Sequence, residues 1–325
     1  MDQQYHQTLR VGITAILFAL VFRLCAAGAP EAIARWLTQP NMAAFLIYLE
    51  TGRDVRFSPS LEVFSPRFVE SPPPAIPQPE EPAIPSFSDT GLIDMYYACS
   101  VDPDLESLLA RPLQWDLQSG DPAVLILSTH STESYTQADE PYVESSGWRT
   151  LDKDYNMLSI GDRVAGLLEE AGIAVIRDRE LHDYPSYNGS YVHARASISK
   201  YLEEYPSIRL ILDLHRDAAG DGSSQMRTRA KADGQDSAQL MIVLGTNHDG
   251  YEDNLSLALK LHAQLESRHP GIMRPLQLRS QRFNQDLSPG ALLVEVGAAG
   301  NTHAEAHIAA EKLAEAIIAL AKGTN

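Results

Sequence analysis

Val124–Tyr135 reads VLILSTHSTESY: four apolar residues without a break, then eight that can all hydrogen-bond. An uninterrupted apolar tetrad is the pattern of a strand buried on both faces, as in a parallel sheet. The ionisable run after it then falls at the carboxyl end of that strand, where open α/β sheets place their sites.

Working outward, the same grammar repeats. Ile160, Val164, Leu167 and Leu168 recur at helical spacing and Gly172 supplies a stop. Ile173–Ile176 reads as a second strand, Ser197–Tyr205 as a helix, and Leu210–Leu214 as a third strand. Leu240–Leu244 is a fourth strand, Asn254–Arg268 an amphipathic helix, Leu292–Val296 a fifth strand, and Ala304–Ala321 a closing helix. Alternation of this kind predicts an α/β fold, a mostly parallel sheet flanked by helices, over residues 121–325. Residues 86–120 read as a lead-in.

The amino-terminal third reads differently. Val11–Phe22 carries no charge, and past Arg23 the apolar run continues to Ala29. A bilayer needs ~20 apolar residues, so residues 1–30 are expected to be a short cytoplasmic stub and a membrane anchor with Arg23 snorkelling. A cleaved signal peptide ending near Ala27-Gly28-Ala29 is the rival reading. Residues 31–120 follow as an extracytoplasmic lead-in. Within it, residues 66–85 hold eight prolines in twenty positions, the composition of a semi-rigid polyproline II spacer.

The 325 residues carry 43 acids against 26 bases, a formal charge of −17. Such a balance argues against nucleic acid as a partner, because neutralising phosphates needs a basic stripe. Cys25 and Cys99 alone cannot build a thiolate metal cluster, so a metal site must draw on His and carboxylate. Three strand ends supply these: His130 with Glu133 after the first strand, His215 with Arg216 after the third, and Glu295 within the fifth. His182 follows the second strand by a few residues. One strand-end histidine is more often a hydrogen-bonding loop residue; three after successive strands point to zinc or another divalent ion. Glu295, inside LLVEVG, is the sharpest signal, since a carboxylate in an apolar strand is costly unless paired, ligated or catalytic. His193, His248, His262, His269, His303 and His307 read as solvated. Arg282 and Asp286 read equally well as salt-bridge partners or substrate contacts.

At these residues the chain resembles a known family. Ile126–Tyr135 (ILSTHSTESY), His182–Tyr191 (HDYPSYNGSY), Tyr205–Ala218 (YPSIRLILDLHRDA) and Phe283–Asn301 (FNQDLSPGALLVEVGAAGN) are similar to stage II sporulation protein P, a peptidoglycan hydrolase of endospore-forming bacteria. The anchor, the tether and Phe45–Arg53 (FLIYLETGR) resemble the same layout.

The resemblance implies an N-acetylmuramoyl-L-alanine amidase and cross-link endopeptidase, with a fold like that of the zinc-dependent cell-wall amidases. It implies Zn2+ held by His130, His215 and a third ligand, with Glu295 as the catalytic acid and base. His182 is the preferred third ligand, and Glu133 is the alternative or a second acid/base. Arg216, Arg282 and Asn188, with Tyr187, are weaker candidates for substrate contact. Implied partners are peptidoglycan, stage II sporulation proteins D and M, and the membrane through the amino-terminal helix. The implied location is single-pass in the cell membrane, facing the space between mother cell and forespore. A non-catalytic wall-binding scaffold, a deacetylase on the same fold, or a glycosidase using Glu133 and Glu295 are the competing readings.

Overall fold

The computed structural model describes residues 93–113, 115–136, 147–218 and 225–323. The expected anchor and the Pro-rich tether lie outside these residues. Among the described residues no helix is long and apolar enough to cross a membrane.

Among the described residues nine strands and five α-helices follow one another. They are β1 (Met95–Ala98), α1 (Leu105–Ala110), β2 (Val124–Leu127), α2 (Met157–Glu170), β3 (Val175–Arg177), α3 (Ser190–Glu204), β4 (Leu210–Asp217), β5 (Ala230–Ala232), β6 (Gln235–Ser237), β7 (Leu240–Gly245), α4 (Tyr251–Arg268), β8 (Leu276–Arg279), β9 (Ala291–Ala298) and α5 (His303–Ala321). Seven strands form one sheet in the order β1-β8-β7-β9-β4-β2-β3, and β5 and β6 pair separately. Every pairing in the large sheet is parallel except β7 with β9.

Strand alternation sorts the core into two faces. Val124, Ile126, Leu210, Leu212, Leu292, Val294, Leu240 and Ile242 pack with α2, α4 and α5 in the main core. Leu125, Leu127, Ile211 and Ala291 turn to the other face and meet Ala194 and Ile198 of α3. On that second face Met241, Val243 and Leu293 are covered by Phe283. Residues of α1, α2, α4 and α5 therefore enter the main core, while α3 alone covers the other face, where a loop replaces a further helix.

Local chemistry sets the element ends. The Asn156 side chain accepts from Leu158 N–H at 2.9 Å and caps α2. At its other end Gly172 sits at φ 85°, with Gly172 N–H donating to Glu169 and Ile173 N–H to Leu168, both at 2.9 Å. This is a Schellman ending, and it needs the left-handed backbone that glycine allows. Gly290 is fixed for another reason: a Cβ there would lie 1.8 Å from the Arg209 carbonyl oxygen.

Two expectations shift. Residues 93–110, read as lead-in, supply the edge strand β1 and helix α1, and Ser256 Oγ of α4 donates to the Leu108 carbonyl at 2.7 Å. Helix α3 begins at Ser190 rather than Ser197, because its cap is Gly189 at φ 94°, with no side-chain hydrogen bond for sequence to announce.

Candidate active site at the strand ends

The site grows from one register. His215 of β4 lies opposite Glu295 of β9, and Glu295 opposite Met241 of β7, so the three share the face that carries only α3. Two residues earlier Asp213 shares that face, buried, and accepts from Thr129 N–H at 2.7 Å and from Thr129 Oγ1 at 2.6 Å. That clamp ties the loop after β2 to β4 and carries His130 toward His215; the two rings meet edge to face with centroids 5.2 Å apart.

Glu133 completes the group. Its amide donates to the His130 carbonyl at 3.1 Å, so the loop turns back and places the carboxylate inside. Oε2 accepts from the Arg216 amide at 3.2 Å and stands 3.8 Å from His215 Nδ1. Oε1 faces Arg149 at 3.4 Å and Arg216 at 3.7 Å. Burial opposes charge on Glu133, but Arg216, His130, His215 and Arg149 outweigh it and hold its pKa low. Asp213 behaves likewise: burial works against it, while His215 and the Thr129 donors keep it ionised. The same carboxylates overcome burial at His215 and lift its pKa to about 9. Glu295 is the opposite case, since burial prevails over His215 and raises its pKa to about 8. His130 is lowered to about 4, chiefly by burial.

Three polar atoms in this cluster are buried without a hydrogen bond: His130 Nδ1, His215 Nε2 and Glu295 Oε2. His215 Nε2 does lie 3.0 Å from Asp213 Oδ1, but off the line that a hydrogen bond requires. Two imidazoles and a carboxylate are a donor set that catalytic zinc accepts, with a fourth position left for water. His130, Glu133 and His215 fit that set by type: His130 Nδ1 is free, and His215 turns Nε2 to Asp213 and Nδ1 toward Glu133. They would have to draw in to share one ion, because among the described residues the one group with all ligand atoms within 4.8 Å is Asp233, His269 and Glu315. That other group is already served by a cation: Lys312 Nζ reaches Asp233 at 2.6 Å and Glu315 at 2.8 Å.

Other expected site residues fall elsewhere. His182 does not join the cluster; its Nε2 pairs with Asp178 at 3.1 Å, both buried, and that carboxylate raises its pKa against the effect of burial. The acid that stands beside the two imidazoles is Glu133, 3.8 Å from His215 Nδ1. Arg216 is buried too, and gives its donors to the Ser134 carbonyl at 3.0 Å and the Trp148 carbonyl at 2.8 Å, which removes it from substrate carboxylates. Arg282 is half-exposed and 3.7 Å from Asp286, which Arg195 also grips at 2.7 Å. Asn188 is exposed in the loop beside Tyr187. Of the histidines read as solvated, His262 and His269 are buried and His248, His303 and His307 half-buried: His262 is among the buried residues of α4, His269 caps that helix, and the His303 ring meets Tyr135, Tyr155 and His307. Sequence reasoning passed over Asp213, although a charge inside LILDL is the signal that singled out Glu295. It also passed over Tyr191, whose ring lies 5.6 Å from His130 and 6.4 Å from His215.

The fold and this cluster define an α/β protein with an acid–imidazole centre beyond parallel strand ends. The sequence model of the family Stage II sporulation protein P (SpoIIP) matches residues 78–318, and the chain belongs to that family. The Stage II sporulation protein P of Bacillus subtilis (strain 168) is 27% identical over 203 residues, covering 59% of this chain. The match takes in 49% of that relative, so the chain spans about half the length of the curated relative it matches. Among solved structures, an N-acetylmuramoyl-L-alanine amidase from Clostridium difficile 630 is similar at a TM-score of 0.39 and 14% identity, covering 64% of this chain and 100% of that one. AmiC2 of Nostoc punctiforme, an amidase of the same name, gives 0.38 and 13%, covering 60% and 95%. The CwlD amidase of Clostridioides difficile, solved with the GerS lipoprotein, gives 0.37 and 15%, covering 62% and 98%.

Proposed function

We propose that this chain is a metal-dependent peptidoglycan hydrolase, an N-acetylmuramoyl-L-alanine amidase in which His130, Glu133 and His215 hold Zn2+ and Glu295 moves the proton. The observation that carries the reading is Glu295 itself: a half-buried residue whose Oε2 is buried and unpartnered, on the strand beside His215. Membership of the sporulation family, and the resemblance stated above, supply the cell wall as substrate.

When bound, the metal would polarise the scissile carbonyl and make its water acidic enough to attack near neutral pH. The chain's own residues do the rest. Glu295 acts as base in its ionised form, which a bound cation would favour, taking the water's proton at its free Oε2 and returning it to the departing amide nitrogen. The burial that raises its pKa to about 8 in the metal-free chain suits the protonated form to that second, acid step. Asp213 holds the far edge of the His215 ring, and Arg216 and Arg149 keep Glu133 ionised. A peptide cross-link is also an amide, so the same groups serve the endopeptidase activity. Engulfment as the setting, stage II sporulation proteins D and M as partners, and tethering by residues 11–29 between the two membranes complete the proposal.

The test uses the full chain in detergent with purified cross-linked peptidoglycan, with zinc and after chelation, and products identified by mass spectrometry. Free stem peptides and bare glycan that need metal, and vanish in Glu295→Gln, are the expected result. Intact wall under every condition, with folded protein and stage II protein D added, overturns the enzyme in favour of a scaffold. Acetate release with the glycan–peptide bond intact overturns it in favour of a deacetylase.

A further inference from the structure

Tyr187 is half-exposed, yet three interactions fix it to the site. Its ring stacks on His130, with centroids 4.5 Å apart and planes within 15°. Its hydroxyl lies 3.1 Å from His130 Nε2. The Arg149 guanidinium stands 4.7 Å from the ring centroid, and Arg149 is itself tied to Asp183 at 2.6 Å and to Thr132 Oγ1 at 3.2 Å.

The other side of the imidazole decides what this contact does. His130 Nδ1 is buried and has no partner. A neutral imidazole carries one N–H, and a buried N–H left unpaired is rarer and costlier than an unpaired lone pair. The proton therefore belongs on Nε2, donated to the Tyr187 oxygen, and Nδ1 presents a bare lone pair toward the interior. At His215 Asp213 stands beside Nε2 in the corresponding place, and Nδ1 faces Glu133.

We infer that Tyr187 is a positioning residue that fixes the His130 tautomer and ring plane, so that Nδ1 is the metal-binding atom. The inference rests on the reading of His130 as a ligand and gives that site the second member of a pair: one imidazole is set by a buried carboxylate, the other by a phenol at the surface. An outer partner of this kind is worth roughly 10- to 100-fold in metal affinity. A phenol sits at the low end, being a weaker acceptor than a carboxylate.

Two measurements on the full chain in detergent test it. Nitrogen-15 NMR of the metal-free protein should show His130 as the Nε2–H form, and Tyr187→Phe, which keeps the stacked ring and removes only the oxygen, should yield a tautomer mixture. Calorimetric titration with Zn2+ should show Tyr187→Phe binding about tenfold more weakly. His130→Ala separates the two ideas: if it leaves zinc affinity untouched, the ligand reading falls. If His130→Ala abolishes binding while Tyr187→Phe changes neither tautomer nor affinity, the positioning role alone is overturned.

Discussion

His130 and His182 are both buried, both follow a parallel strand within a few residues, and both sit in loops that grip each other. His182 N–H donates to Ser131 Oγ at 3.3 Å, and Thr132 Oγ1 donates to Asp183 at 2.6 Å. Yet one imidazole keeps a nitrogen free among carboxylates, and the other spends Nε2 on Asp178. Burial and position do not tell these two imidazoles apart; on the reading proposed above, the nitrogen left free among acids is what would make His130 the ligand. His262 bounds the rule from the other side. Its Nδ1 is also orphaned, but burial is the sole cause of its shift and no carboxylate acts on it. A free nitrogen matters where acids surround it.

The comparison can be broken at its strongest point first. Glu295→Gln should lower the rate of stem-peptide release by about 10³-fold, within the range of a lost general base, while zinc affinity stays within threefold. Equal losses in both would make Glu295 a ligand. Next, His130→Ala should weaken zinc binding by on the order of 100-fold and His182→Ala by no more than about threefold, measured by calorimetry. The reverse order would return His182 to the metal. His182→Ala should instead cost stability, about 3 kcal/mol in urea unfolding, because Asp178 is left buried without its partner.

The smallest effect concerns His262. Burial lowers its pKa to about 4, so it stays neutral in the fold while the unfolded chain takes a proton as pH falls through 6.5. Stability is then lost between pH 6.5 and 4 and is unaffected above. His262→Gln should recover about 1–2 kcal/mol at pH 5 relative to pH 7, read from denaturation midpoints. A flat difference across that range would mean that the ring is charged in the fold.

The strands that carry the site were legible because each is buried on both faces and reads as an apolar run. Strands β1 and β8 were not: each has only four residues, three of the four in β1 are half-buried, and LQLR alternates with polar residues. Glu295 stood out by the cost of placing charge in an apolar strand, and Asp213 emitted the same signal unread. That Glu133 rather than His182 stands beside the two imidazoles was beyond sequence, because the three-residue turn from His130 to Glu133 brings it there through backbone geometry. The inward histidines of α4 and α5 were misread for lack of knowing which helix face meets the sheet.

Gly290 touches none of the reacting groups, yet its bare Cα lets β9 start hard against the Arg209 carbonyl and so indexes one strand on the next. Glu295 lies five residues along, roughly 16 Å of strand. A slip of a single residue there would leave every core side chain chemically suitable and turn Glu295 to the opposite face from His215. On the proposed mechanism the proton carrier's address is written at the far end of the sheet, and a methyl group added at Gly290 would then read in an assay as a lost catalytic residue.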